Sequence, residues 1–163
     1  MFSSKLILVP WETLIIVWTF PLGLKSASNC IHLGSEASTT SYIILLETSS
    51  KTSVEKISET KPLNPSDYDS VLDHCLAAQY FGMKFIYLEA GSGASEPVPD
   101  SIIKYVRESI DVTLIVGGGI RTAESARKVV TAGADIVVTG SLVETSKSLK
   151  EEMTALISAI HSK

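Results

Sequence analysis

The chain has 163 residues, 45% of them hydrophobic, enough for one domain with a core of its own. Fourteen basic residues against eighteen acidic give a net charge of −4, and no Lys/Arg run stands out. This balance argues against nucleic-acid binding, which wants a clustered basic face. Cys30 and Cys75 form no CxxC pair, and His32, His74 and His161 have no ligand spacing. A zinc site and a disulfide framework are both unsupported, and the cysteine usage fits a reducing, cytoplasmic compartment.

In chain order, the first segment is apolar and ambiguous. "KLILVPWETLIIVWTFPLGL" is broken by Pro10, Glu12 and Pro21. Its apolar run of about ten residues falls short of the roughly 20 that a spanning helix needs. The segment reads as one or two buried strands, "KLILV" and "TLIIVW", as a signal or anchor ending near "SASNC", or as unstructured chain. "SYIILLE" at 41–47 reads as a strand. Residues 47–69 are polar, with Pro62 and Pro65 marking a loop and "SVEKI" at 53–57 as a possible short strand.

From residue 66 the pattern is regular. "SDYDSVLDHCLAAQYFG" predicts a helix capped by Ser66, with Val71, Leu72, Cys75, Leu76 and Gln79–Tyr80 along its packed face and Gly82 as the stop. "KFIYLEA" is a strand. "PDSIIKYVRESI" is a helix begun by Pro99. "TLIVGGG" is a strand and "TAESARKVVTAG" a helix capped by Thr122. "DIVVTG" is a strand, and "SKSLKEEMTALISAIHSK" the closing helix. The strands are unbroken apolar runs, as parallel strands covered on both faces would be. Alternation of this kind leaves a (β/α)8 barrel or an open doubly wound sheet. The chain supplies about four βα units.

Three successive strands end in small residues: "EAGSG" (89–93), "GGGIR" (117–121) and "TGSLVE" (139–144). Glycine lets backbone N–H groups approach a ligand closely, and several together suit a phosphate. On a barrel these ends share one rim, where the loops after the last two strands form a recurrent phosphate site. A tight turn alone would also explain the GGG run. Arg121 can serve the ligand or pair with Glu124 or Glu144. Glu89 is the sharper signal, because a carboxylate ending an apolar strand is costly to bury without partners. Tyr87, two residues earlier, shares its side of the strand. The pair suits the hydroxyls of a small polyol phosphate, with the phosphate on the glycines. The bland reading is a structural Glu89 bridged to Lys84 or Arg121.

"YIILLE", "KFIYLEAGSGASEPVP" and "LIVGGGIRTAESARKVVTAGADIVVTGSLVE" together resemble the geranylgeranylglyceryl phosphate synthase family, archaeal glycerol-1-phosphate prenyltransferases, over residues 41–160. The resemblance implies a TIM-type (β/α)8 barrel of which the last four βα units are present, an α/β fold. It divides the chain into 1–40, an unmatched apolar segment, and 41–163, the C-terminal half-barrel with its phosphate-binding rim. It implies transfer of a geranylgeranyl group from geranylgeranyl diphosphate to the C3 hydroxyl of sn-glycerol 1-phosphate, with Mg2+ and contact with a membrane surface through the prenyl substrate. Carried over by motif, Tyr87, Leu88, Glu89, Ala90, Gly91, Ser92 and Gly93 hold the glycerol and part of the phosphate. Gly118 and Gly119 complete the cradle with Gly140 and Ser141. Glu89 orients the hydroxyl and can take its proton, beside Tyr87. The family's first strand ends in an Asp-rich, DPDK-like loop that supplies a metal ligand, and this sequence has no such motif. The expectation is thus a partial sequence with a glycerol-phosphate half-site and no metal ligands, its open strand edges favouring a homo-oligomer. The alternatives are a non-catalytic phosphate-binding half-barrel and another phosphate-handling barrel enzyme.

Overall fold

The structure is a computed structural model and describes residues 4–8, 16–19, 41–46, 62–91 and 93–161. The strands are β1 (Ser4–Leu8), β2 (Ile16–Thr19), β3 (Ser41–Leu45), β4 (Phe85–Glu89), β5 (Thr113–Gly117) and β6 (Ile136–Thr139). The helices are α1 (Tyr68–Tyr80), α2 (Asp100–Arg107), α3 (Ala123–Thr131), α4 (Ser141–Thr145) and α5 (Leu149–His161). One sheet runs β2-β1-β6-β5-β4-β3. Strands β3 to β6 are parallel and in sequential order.

That order decides between the two architectures. Sequential parallel strands joined by crossovers of one hand place their helices on one face, as in a barrel wall. A doubly wound sheet would reverse its order partway. The side chains agree. Ile86 and Leu88 of β4 and Leu114 and Val116 of β5 are fully buried, in one cluster with Val71, Cys75, Ile102, Ile103, Val106, Val129 and Leu156 from the helices. Phe85, Tyr87, Thr113 and Ile115, on the opposite face, are only half-buried. The sequence suggests strands covered on both faces; among the described residues the helix layer covers one.

Both apolar runs of the N-terminal segment are strands. They pair antiparallel with each other, and β1 lies antiparallel on β6, with Leu6 opposite Thr139 and Leu8 opposite Val137. The edge of β6, where a fifth parallel strand would continue a barrel, thus carries an antiparallel hairpin. "SVEKI" lies outside the described residues.

The helix boundaries follow local chemistry. Asp67, not Ser66, caps α1 by accepting from the Ser70 N–H, while the Ser66 N–H is taken by Asn64 Oδ1 at 2.9 Å. The packed face of α1 is Val71, Cys75 and Ala78; Tyr80 and Phe81 are exposed at its end, contrary to the packed Tyr80 expected. Thr122 caps α3 in a reciprocal capping box with Ser125, as the sequence suggests. The closing helix is preceded by the short α4, which opens directly from β6 at Gly140. At the opposite end of the strands, Arg107 donates to the Ile110 and Val112 carbonyls and to Asp135 Oδ2, which also accepts from the Leu114 N–H at 2.8 Å. This clamp joins α2 to the starts of β5 and β6.

Candidate active site

The parallel register sets Leu45, Glu89 and Gly117 side by side, with Gly117 in turn beside Val138. This row is the C-terminal rim of the described sheet. Above it opens a small cleft lined by Glu89, Gly91, Gly93, Gly118, Gly119, Ile120, Val138, Thr139, Gly140 and Ser141. The three Gly-ended strands therefore do converge. Seven of the sequence-predicted residues line one cleft: Glu89, Gly91, Gly93, Gly118, Gly119, Gly140 and Ser141. Ser92 lies outside the described residues.

Glu89 is 3% exposed, and its Oε1 accepts from the Gly91 N–H at 2.9 Å. The strand's last side chain thus holds the first turn of the loop that follows it. Tyr87 lies one pleat lower on the same face. Its hydroxyl is buried, although the residue as a whole is only half-buried. Burial, then the charge of Glu89 and the hydrogen bond to it, push the Tyr87 phenol well above its ordinary value. Gly117 makes this stacking possible: a side chain there would run into the Tyr87 hydroxyl and come within 2.9 Å of Val138 Cβ. Tyr87 does not line the cleft and supports Glu89 from beneath. Leu88 and Ala90 are buried in the core cluster, so of these two only backbone atoms remain for a ligand.

Gly118 and Gly119 turn the chain with φ of +84° and +70°, a region that L side chains rarely occupy. A Cβ on Gly118 would stand 2.8 Å from Glu89 Oε1 and from the Gly91 nitrogen. One on Gly119 would strike the Glu96 carbonyl and the Pro97 nitrogen. The GGG run is thus more than a tight turn, because its backbone packs directly on the β4–α2 loop. Arg121 pairs with neither expected glutamate. Its guanidinium donates to the Ala94 carbonyl at 2.8 Å and the Ser95 carbonyl at 3.4 Å, while Glu124 pairs with Lys128. Thr139, which sequence reading missed along with Ile120 and Val138, donates its buried hydroxyl to the Ile120 carbonyl at 2.7 Å. The strand patterns concealed all three as ordinary apolar or β-branched positions.

A wall of sequential βα units, with small residues at the strand ends around a buried carboxylate, defines part of a (β/α) barrel with a candidate ligand site on its C-terminal rim. Residues 15–160 match the PcrB family, and the chain belongs to it. The match begins at residue 15, inside the segment that the motifs leave unmatched. Geranylgeranylglyceryl phosphate synthase of Pyrococcus furiosus is 48% identical over 95 residues, 58% of this chain and 38% of that protein. The synthase of Thermoplasma volcanium is 40% identical over 139 residues, 85% of this chain and 54% of the relative. The chain thus spans about half or less of the length of these curated relatives. Among solved structures, the wild-type T. volcanium enzyme superposes with a TM-score of 0.74 at 37% identity, covering 84% of this chain and 54% of that one. The Thermoplasma acidophilum (S)-3-O-geranylgeranylglyceryl phosphate synthase, solved with its substrate sn-glycerol-1-phosphate, gives 0.71 at 33% identity, covering 75% and 49%. Among the described residues, no helix is long and apolar enough to cross a membrane.

Proposed function

We propose that the chain carries the glycerol-phosphate half-site of a prenyltransferase, which moves a geranylgeranyl group from geranylgeranyl diphosphate to the C3 hydroxyl of sn-glycerol 1-phosphate in the cytoplasm. The observation that supports this best is the meeting of the Glu89 carboxylate with the Gly118–Gly119 turn and the Gly140–Ser141 strand end in one cleft. An anion-tolerant backbone wall and a hydroxyl acceptor then face the same small volume. Glu89 accepts from the glycerol hydroxyls and orients the C3 oxygen for attack. Oriented beside the allylic carbon, that oxygen gains the rate advantage of proximity. Tyr87 fixes the carboxylate from below and leaves substrate contact to Glu89. The T. acidophilum relative, solved with sn-glycerol-1-phosphate, gives the substrate class independent support.

Magnesium is implied by the family resemblance alone. Among the described residues no three His, Cys, Asp or Glu side chains gather to hold an ion, and Glu89 is the one carboxylate lining the cleft. These residues do not fit a bound metal, and the chemistry assigned to them stops at binding and orienting the alcohol. The prenyl diphosphate would approach over the rim from a membrane surface, and the outer strands β2 and β3 offer edges to a second copy of the chain. Titration calorimetry with sn-glycerol 1-phosphate and its 3-phosphate mirror image tests the reading. Tighter binding of the 1-phosphate supports it, and equal or absent binding removes it.

A further inference from the structure

We propose that Arg121 is a positioning residue of this site: its guanidinium fastens the β4–α2 loop to the β5–α3 turn and so sets the gap between two glycine walls that close on a phosphate. The inference rests on the reading of the cleft as a glycerol-phosphate site. One wall is Glu89, Gly91 and Gly93; the other is Gly118, Gly119 and Ile120. Beyond Glu89, the last residue of β4, neither wall lies in a strand or helix. The first folds back on itself through the Ala94 N–H to the Gly91 carbonyl at 3.1 Å. The second turns through two residues of positive φ. Where they meet, Gly119 lies against the Glu96 carbonyl and Pro97 with no room for a side chain.

The Ala90 N–H donates to the Gly117 carbonyl at 2.9 Å at the base of the two walls, but the Gly119 contact beyond it is packing rather than hydrogen bonding. Arg121, two residues past Gly119, supplies the fastening by reaching back across the contact to the carbonyls of Ala94 and Ser95. A planar fork can hold two successive carbonyls at once. A lysine ammonium, a point charge on a flexible stem, cannot reproduce that geometry. Arg121 is absent from the cleft lining, and these two acceptors are neutral carbonyls, so its part in binding is geometric rather than a charge laid on the ligand. Ile120, between the turn and Arg121, is tied on its other side by Thr139. The turn is therefore held from two directions.

The test compares Arg121→Lys with Arg121→Ala in the full chain, using two measurements. Calorimetry with inorganic phosphate and with sn-glycerol 1-phosphate reads the cradle. Amide hydrogen exchange of the ligand-free protein reads the loop at Ala94 and Ser95, against the Arg107 clamp as an internal control. Both variants should bind both ligands roughly tenfold more weakly, the worth of one charge-assisted hydrogen bond, although the lysine keeps the charge. Exchange should quicken at Ala94–Ser95 and stay unchanged at the clamp. Lysine binding phosphate as well as the native arginine would overturn the proposal, because charge alone would then suffice. Weakened binding with unchanged loop exchange would overturn it too, making Arg121 a direct ligand contact. A native protein that binds neither ligand would refute instead the glycerol-phosphate reading beneath it.

Discussion

Three glycines with nearly the same positive φ allow strain and packing to be separated. Gly82, Gly93 and Gly118 have φ of +85°, +82° and +84°. A Cβ on Gly82 or Gly93 would meet nothing within 4 Å, whereas on Gly118 it would lie 2.8 Å from Glu89 Oε1 and 2.8 and 2.9 Å from the Gly91 nitrogen and oxygen. Alanine at any of the three costs about 1–2 kcal/mol for the left-handed conformation. At Gly118 the overpacking adds about 1–3 kcal/mol, since two of the three atoms met are backbone and cannot swing aside. Gly118→Ala should therefore lose about 2–5 kcal/mol of stability, against about 1–2 for Gly82→Ala and Gly93→Ala. Urea unfolding of the three variants measures the difference. Relief of the clash must displace either the Glu89 carboxylate or the glycine loop, so Gly118→Ala should also bind sn-glycerol 1-phosphate more weakly, while Gly82→Ala binds normally. Equal destabilisation at all three positions would refute the claim that Gly118 is closed in by the site.

Glu89→Gln keeps the shape of the side chain and removes the charged acceptor. It should cost about 1–3 kcal/mol of sn-glycerol 1-phosphate affinity while leaving inorganic phosphate binding nearly unchanged, as calorimetry with the two ligands would show. Arg107→Met removes the clamp at the far end of the strands; chemical unfolding should show a loss of about 1.5–3 kcal/mol with ligand affinity intact. The buried Cys75 thiol is pushed up from 9.0 to about 12, chiefly by desolvation. The unfolded chain then releases this proton first, so the contribution is fully present below pH 9.0 and is lost as pH rises towards 12. Cys75→Ala should flatten the fall of the urea midpoint over that window. Tyr87 acts with the same sign from its unfolded value of 10.0 upward. Tyr87→Phe should remove part of the alkaline slope above pH 10 and also weaken glycerol phosphate binding, through a carboxylate no longer steadied from below.

The parts legible in the sequence are those where a residue type is forced by backbone or by period. Gly118 and Gly119 could be read because few other residues accept their φ. Thr122 could be read because a cap leaves its mark as a hydroxyl before an apolar helix. Glu89 could be read because a carboxylate closing an apolar strand demands a partner, and the Gly91 N–H and Tyr87 supply two. Strand alternation also placed Tyr87 beside Glu89, and the same period-two rule turns Leu88 into the core. Arg121 was undecidable because its acceptors are backbone carbonyls, which every residue has and no sequence pattern marks. The hairpin of β1 and β2 was one reading among three, since a short β-branched apolar run serves a strand or an anchor equally well. Thr139 looked like a strand residue and is one, but its hydroxyl also ties down the neighbouring turn.

The account turns on whether the glycine-lined rim and Glu89 grip one small phosphate ester together. An amide chemical-shift titration of the 15N-labelled chain with sn-glycerol 1-phosphate tests this most directly. Saturable shifts confined to Gly91, Gly118, Gly119, Gly140 and Ser141, smaller with the 3-phosphate, are the predicted result. Shifts scattered across the helices, or centred on the Arg107 end of the strands, would contradict it.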